Sequence, residues 1–212
     1  MSDHNPVTPQ QLDEILSSAE ILHSEEAVEQ ALDDLGRRIE ARLGGTMPVV
    51  LGVMTGAIVP LGRLLPRLQF PLEVDYIHAT RYHGSTIGRD VVWLARPRTP
   101  LKGRTVLVVD DILDEGHTLA GIIEECHNEG AREVYTAMLF DKHHDRRYQG
   151  LEADFVGLEV IDRYVFGSGM DYKGYFRNLR GVYAVTRTRG CLDGPRGKPY
   201  RIPQAASVRV NP

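Results

Sequence analysis

Gly103-Arg104-Thr105-Val106-Leu107-Val108-Val109-Asp110-Asp111-Ile112-Leu113-Asp114-Glu115-Gly116-His117-Thr118 is the stretch from which the rest of the chain can be read. Val106 to Val109 is an unbroken β-branched and aliphatic run, the composition of a strand buried on both faces of a parallel sheet, with Gly103 punctuating its start. Acid begins where the apolar run ends: Asp110, Asp111 and Asp114 fall within five residues, and Gly116 and Thr118 follow. From Leu119 a helical pattern runs through Ile122, Ile123 and Cys126 to Gly130. The order strand, short loop, helix predicts an α/β fold. It also places Gly116 and Thr118 at a helix N-terminus, where free backbone N–H groups and the macrodipole favour an anion.

Carboxylates beside an anion site repel the ligand unless a divalent cation offsets their charge or sugar hydroxyls donate to them. A sugar phosphate carrying Mg²⁺ meets both conditions, since Mg²⁺ takes one or two protein carboxylates plus ligand phosphates. A lone Asp-Asp pair at a strand end also occurs in other Mg²⁺ sites and in plain solvated loops. Asp114, Gly116 and Thr118 tip the reading toward a Mg²⁺-bound ribose phosphate. Neither a Gly-x-Gly-x-x-Gly turn nor a Gly-x-x-x-x-Gly-Lys-Ser/Thr loop is present.

With 212 residues, 42% of them hydrophobic and 25% charged, the chain fits a single soluble domain. A net charge of −4 gives no global attraction to nucleic acid or anionic membrane. No apolar run approaches the roughly 18 residues that cross a bilayer. The opening Met-Ser-Asp-His-Asn-Pro is polar, so a cytoplasmic protein is the expectation. Cys126 and Cys191 belong to no Cys-x-x-Cys pair, which argues against a disulfide framework or a zinc site and makes Cys126 a small core hydrophobe.

Outward from the central stretch, Thr8-Pro9 reads as an N-cap with Pro at the first helical position. Ser24-Glu25-Glu26 opens a second helix, whose Val28, Leu32, Leu35, Ile39 and Leu43 are spaced by four, three, four and four before Gly44-Gly45 ends it. Val49 to Val53 is a buried strand, and Met54-Thr55-Gly56-Ala57 turns into a helix carrying Ile58, Leu61, Leu64, Leu65 and Leu68. Gly56 allows close approach of backbone to a ligand, although a plain βα turn has the same pattern. A strand through Leu72, Val74 and Tyr76 and another at Val91 to Leu94 flank the polar, Gly-punctuated segment 79–88, a candidate lid. Further strands are expected at Val134 to Leu139, Phe155 to Val160 and Val182 to Val185. The helix between the central strand and the next, over 118–129 with Gly130 just past its end, makes a βαβ unit. Ligands in such sheets bind outside the carboxyl ends of the strands. Asp141-Lys142-His143-His144-Asp145 lies at one such end. Adjacent histidines rarely reach one metal together, so the segment reads as a solvated loop with Lys142 its informative residue. Residues 187–212 are basic, rich in Gly and Pro and without periodicity, and read as a loosely ordered tail.

Val108-Val109-Asp110-Asp111-Ile112-Leu113-Asp114-Glu115-Gly116-His117-Thr118 resembles the phosphoribosyl pyrophosphate (PRPP) signature of type I phosphoribosyltransferases. Its surroundings, over roughly residues 47 to 186, resemble the hypoxanthine-guanine branch. The resemblance implies one α/β domain over 1–212 with its core over about 45–186. Helices would flank a mostly parallel central sheet, and the C-terminal third with the N-terminus would form a small hood. It implies transfer of ribose 5-phosphate from PRPP to a purine base with release of pyrophosphate, Mg²⁺ as cofactor, and a homo-oligomer, dimer or tetramer. Asp114 would be the catalytic acid or base at the purine. Asp110 and Asp111 would hold ribose hydroxyls and metal, with Asp171 near a second Mg²⁺. Residues Asp114, Glu115, Gly116, His117 and Thr118 would hold the 5′-phosphate, and Arg177 with the loop of Thr55 and Gly56 the pyrophosphate. Tyr82 would close over the reaction centre, Tyr164 would stack on the base, and the Val165 backbone would read its edge. Lys142 would donate to the 6-oxo group of hypoxanthine or guanine. An ammonium has only donors, so it accepts that carbonyl and rejects the exocyclic amine of adenine.

Four positions depart from the pattern. Thr55 stands where many members carry Lys, Arg81 replaces a Ser before Tyr82, and Glu115 and His117 replace a hydroxyl and a basic or small residue. A carboxylate beside a phosphate is unfavourable, so Glu115 is expected to point to solvent. The rivals to this reading are a xanthine-preferring or broad oxopurine transferase and, from another class, a non-catalytic nucleotide-sensing regulator. The regulator would be expected to lose Asp114, Lys142 or Arg177, and all three stand.

Overall fold

The structure is a computed structural model that describes residues 7–81 and 91–186, without the side chains of Arg81 and Val91. Tyr82, most of the expected lid, Cys191 and the tail 187–212 lie outside the described residues. Among the described residues no helix is long and apolar enough to cross a membrane.

Helix α1 (Pro9–Ser18) starts as its sequence predicts: Thr8 and Gln11 form a reciprocal capping box ahead of Pro9. Strand β1 (Glu20–His23) leads to α2 (Glu25–Leu43), capped by the Ser24 side chain on the Ala27 N–H. Its stripe is the expected one: Val28, Leu32, Leu35, Ile39 and Leu43 are all at most 2% exposed. Burying a Leu or Ile side chain contributes roughly 1.5–3 kcal/mol, so packing rather than intrinsic propensity fixes this helix.

Strand β2 (Val49–Val53) is followed by the turn 54–57 and the short helix α3 (Ile58–Leu64). Strands β3 (Glu73–Arg81), β4 (Val91–Ala95) and β5 (Thr105–Leu113) come next, then α4 (His117–Asn128), β6 (Glu133–Lys142) and β7 (Phe155–Val160). The main sheet runs in the order β4-β3-β2-β5-β6-β7; every pairing is parallel except the β3–β4 edge. Helices α2 and α3 share one apolar cluster with one face of the sheet, and Leu119, Ile122 and Cys126 of α4 share another with the opposite face. Burial pushes the Cys126 thiol up to about 11, as befits a core side chain.

Several boundaries differ from the sequence reading, that of β6 among them, which runs on to Lys142. Strand β5 does not stop at Val109. Asp110, Ile112 and Leu113 continue the ladder against Met138, Phe140 and Asp141 of β6, so Asp110 and Asp111 belong to a strand end and not to a loop. The acids are carried into the ladder because Ile112 and Leu113 beyond them still have core to bury. Strand β3 runs on through Arg81, which removes residues 79–81 from the expected lid. Helix α4 begins at His117, one residue earlier than expected.

A second, three-stranded antiparallel sheet joins β1 to β9 (Val182–Ala184) and β9 to β8 (Val165–Phe166). This is the hood, built from the N-terminus and the C-terminal third. Phe166, fully buried, is its centre, with the rings of Tyr172, Phe176 and Tyr183 at 6.0, 5.4 and 5.6 Å.

Candidate active site

The chain leaves β2 toward β3 on one side of the sheet, while β5 lies on the other. The carboxyl ends of β2 and β5 therefore flank a switch in strand order, the crevice where open α/β sheets bind ligands. A cavity of about 670 Å³ opens there. Its walls bring together residues far apart in sequence: Thr55 and Gly56 after β2, Asp110, Asp111 and Asp114 to Thr118 around the end of β5, Lys142 ending β6, and Tyr164, Val165, Asp171 and Arg177 from the hood. Of the residues singled out from the sequence, Tyr82 alone lies outside the described region.

The loop before α4 is shaped to receive an anion. Gly116 caps the helix in the left-handed conformation, φ 86°, and no side chain occupies the cap. That φ favours glycine, and a Cβ there would press on the Leu151 and Leu113 side chains at 3.0 and 3.3 Å. The first-turn N–H groups thus remain open to an anion. His117 packs its ring 4.8 Å from Tyr148, and its Nδ1 is buried without a partner.

Asp110 and Asp111 are an acidic pair under strain of charge. Burial, and for Asp110 the neighbouring Asp111, push both above the usual carboxylate range. Asp111 is 7% exposed and its closest cation, Arg177, holds Nη1 3.5 Å from Oδ2. Two hard oxygen donors raised in this way are a fit for Mg²⁺ shared with ligand phosphates. Among the described residues no three His, Cys, Asp or Glu side chains converge to hold a metal by themselves. Asp171 is engaged by the protein: Oδ1 pairs with Arg177 and Oδ2 accepts from the Gly174 N–H at 2.7 Å.

Two glycines, Gly56 of the turn after β2 and Gly169 of the hood, pack against Asp111. A Cβ on Gly56 would lie 2.5 Å from Asp111 Oδ2; one on Gly169, at φ +113°, would meet the Gly56 carbonyl at 2.7 Å and Asp111 Cβ at 2.9 Å. Gly169→Ala is accordingly expected to cost roughly 3 kcal/mol, backbone strain and overpacking together. Thermal unfolding checks it, and an unchanged midpoint would show that the hood does not press on Asp111.

Asp114 is held by two donors that the sequence reading did not join to it. Lys142 Nζ donates to Oδ2 at 2.5 Å, and His144 Nε2 lies 2.7 Å from Oδ1. Burial by itself raises this carboxyl, but the Lys142 and His144 hydrogen bonds and charges outweigh it and hold Asp114 below its ordinary value. The segment 141–145, expected to be a solvated loop, is corrected: Asp141 and Lys142 end β6 and the His144 side chain is 1% exposed, whereas the His143 side chain is 53% exposed beside Glu159. Nothing in the pattern of that segment distinguishes one histidine from the other.

Arg146, also missed, lines the cavity and pairs with both oxygens of Asp162, at 2.9 and 2.8 Å. Glu115 borders the cavity with its side chain 40% exposed and its Oε1 4.0 Å from Arg146 Nε. Tyr164 is 52% exposed at the cavity while its neighbour Phe166 is buried, which separates the ring available to a ligand from the ring that fills the hood.

A helix start with open N–H groups, a buried acid pair and a cavity of about 670 Å³ at one strand-order switch are the features of an α/β enzyme site for a phosphorylated sugar. The profile of the phosphoribosyl transferase domain matches residues 18–173. The chain is 32% identical over 160 residues to the hypoxanthine-guanine phosphoribosyltransferase of Bacillus subtilis, covering 75% of this chain and 88% of that one. A hypoxanthine phosphoribosyltransferase structure from Staphylococcus aureus superposes with a TM-score of 0.76 at 28% identity, over 81% of this chain and 94% of that one. A solved hypoxanthine-guanine-xanthine phosphoribosyltransferase gives 0.72 at 26%, over 81% and 99%. The chain belongs to the phosphoribosyl transferase family, in its hypoxanthine-guanine branch.

Proposed function

We propose that this chain transfers ribose 5-phosphate from PRPP to N9 of a 6-oxopurine, hypoxanthine or guanine, releasing pyrophosphate, in purine salvage. The observation that carries the reading is Lys142 beside an ionised Asp114 in a cavity that also holds the anion-binding start of α4. Lys142 has three donors, so it can hold Asp114 and still donate to a 6-oxo oxygen. Asp114, kept ionised, then accepts the imidazole proton of the purine. Tyr164 offers its face to the base and the Val165 backbone its edge. The 114–118 loop takes the 5′-phosphate, and Arg177 with Thr55 and Gly56 take the pyrophosphate. The backbone of that last loop serves where a Lys side chain is missing.

Asp110 and Asp111 would hold ribose hydroxyls and Mg²⁺. When bound, the ion would neutralise charge on the departing pyrophosphate. Two carboxylates raised by burial leave little tolerance for a polyanion by themselves, so chelation of Mg²⁺ is expected to abolish turnover. A radiolabelled-base assay with PRPP, with and without excess chelator, on hypoxanthine, guanine, xanthine and adenine in parallel, tests metal and base together. Full activity in chelator would remove the metal assignment, and preference for adenine would remove the oxopurine one. The solved relative that acts on xanthine as well keeps a broad oxopurine range as the second reading.

We propose one domain for the chain, and a homo-oligomer. Val74 and Tyr76 of β3 with Val92 and Leu94 of β4 leave an apolar face 37–59% exposed on the edge of the main sheet, of the kind that associating proteins cover.

A further inference from the structure

The turn that follows Lys142 holds a histidine with no place in the roles assigned above. The His144 side chain is 1% exposed, although it lies in a charged, turn-rich segment, and both of its ring nitrogens are used. The backbone N–H of Arg146 can only donate, and it points to His144 Nδ1 at 3.1 Å. Nδ1 is therefore the acceptor, and the ring hydrogen resides on Nε2, 2.7 Å from Asp114 Oδ1. The chain's own backbone thus selects the tautomer that donates to Asp114.

We propose that His144 is a positioning residue for the reaction: it holds the Asp114 carboxylate by donating from Nε2, so that Lys142 is free to turn toward the purine without releasing Asp114. The proposal rests on the oxopurine transfer reading above. It follows from the division of labour at the carboxylate, in which Lys142 occupies Oδ2 and His144 occupies Oδ1. An acceptor held by the four-carbon Lys stem alone, with its several rotatable bonds, would shift when the ammonium reorients. The imidazole, fixed at one nitrogen by backbone and buried, supplies an anchor that does not move when the base arrives. The other charges around Asp114 are Arg146, paired with Asp162, and Glu115 beside Arg146. The low value at which Asp114 is held accords with two donors.

The test compares the full-length protein with His144→Leu, which removes the donor, and His144→Gln, whose side-chain NH₂ reaches where Nε2 lies. His144→Leu is expected to lower kcat for hypoxanthine about tenfold and leave KM for PRPP within about twofold. It should also move the acid limb of the rate profile up by roughly one pH unit, because Asp114 loses a hydrogen bond to its charged form. His144→Gln should restore the wild-type limb and most of kcat. Equal loss in both variants with a matching fall in thermal stability would make His144 a packing residue and overturn the proposal, as would an unmoved acid limb in His144→Leu. Nitrogen NMR of the free wild-type protein needs no turnover: it should place the hydrogen on Nε2, with a proton resonance that shifts in Asp114→Asn. A hydrogen on Nδ1 refutes the proposal whatever the activity. Absence of wild-type transfer to any oxopurine, with the NMR result intact, would instead fault the substrate reading.

Discussion

Replacing Asp114 with asparagine is expected to lower kcat about a hundredfold while leaving PRPP affinity within a few-fold, the loss typical of a general acid-base group. The expectation comes from the state in which the structure holds this carboxyl. Lys142 and His144 both donate to it and hold it below its ordinary value, so it enters the reaction ionised, as an acceptor and not as a donor. A carboxyl held low in this way titrates on the acid side. Its contribution to stability is present above the ordinary Asp value and is lost as pH falls through the depressed one, and its capacity as a base is lost over the same window. Asparagine cannot accept the proton. Its amide NH₂ must also face one of the two donors, so one of them loses its partner. Single-turnover kinetics with PRPP binding measured separately checks the claim. An unchanged kcat would move the proton-accepting role to another group in the cavity.

Lys142→Met is the second large effect. Methionine keeps much of the stem and removes the ammonium. A hydrogen bond to a charged group is worth roughly 1.5 to 3 kcal/mol, so kcat/KM for hypoxanthine should fall by about one to two decades. The structure adds a consequence that base chemistry alone does not give: the same ammonium also holds Asp114 Oδ2, so adenine turnover too should fall, by the smaller share that passes through Asp114. The discrimination between the two bases should therefore narrow without vanishing. Parallel kcat/KM values for hypoxanthine and adenine measure it, and equal losses on both bases would reduce Lys142 to a partner of Asp114 with no contact to the 6-oxo group.

Much of the fold was legible because its signals are local. The stripe of α2, the cap at Thr8 ahead of Pro9, the cap at Ser24 and the glycine at the start of α4 depend on residues a few positions apart, and these helices form where those signals place them, to within a residue. The buried run at Val106 to Val109 likewise fixes a central parallel strand, since only a strand covered on both faces is apolar at every position. The site residues could be named from motif order, and the structure assembles all those it describes around one cavity.

Tertiary structure decided what depends on distant partners. Strand β5 extends through its two acids because β6 continues alongside it, a pairing that no property of residues 110–113 announces. His144 and His143 are indistinguishable in sequence, and only the position of Asp114, thirty residues earlier in the chain, separates a buried donor from an exposed side chain. Arg146 comes within 4.0 Å of Glu115 across a similar gap. Gly169 meets Gly56 and Asp111 because the hood folds down on the strand ends. Sequence periodicity records which face of an element is covered; it does not record which charge will stand opposite which, because that pairing is set by how the elements pack.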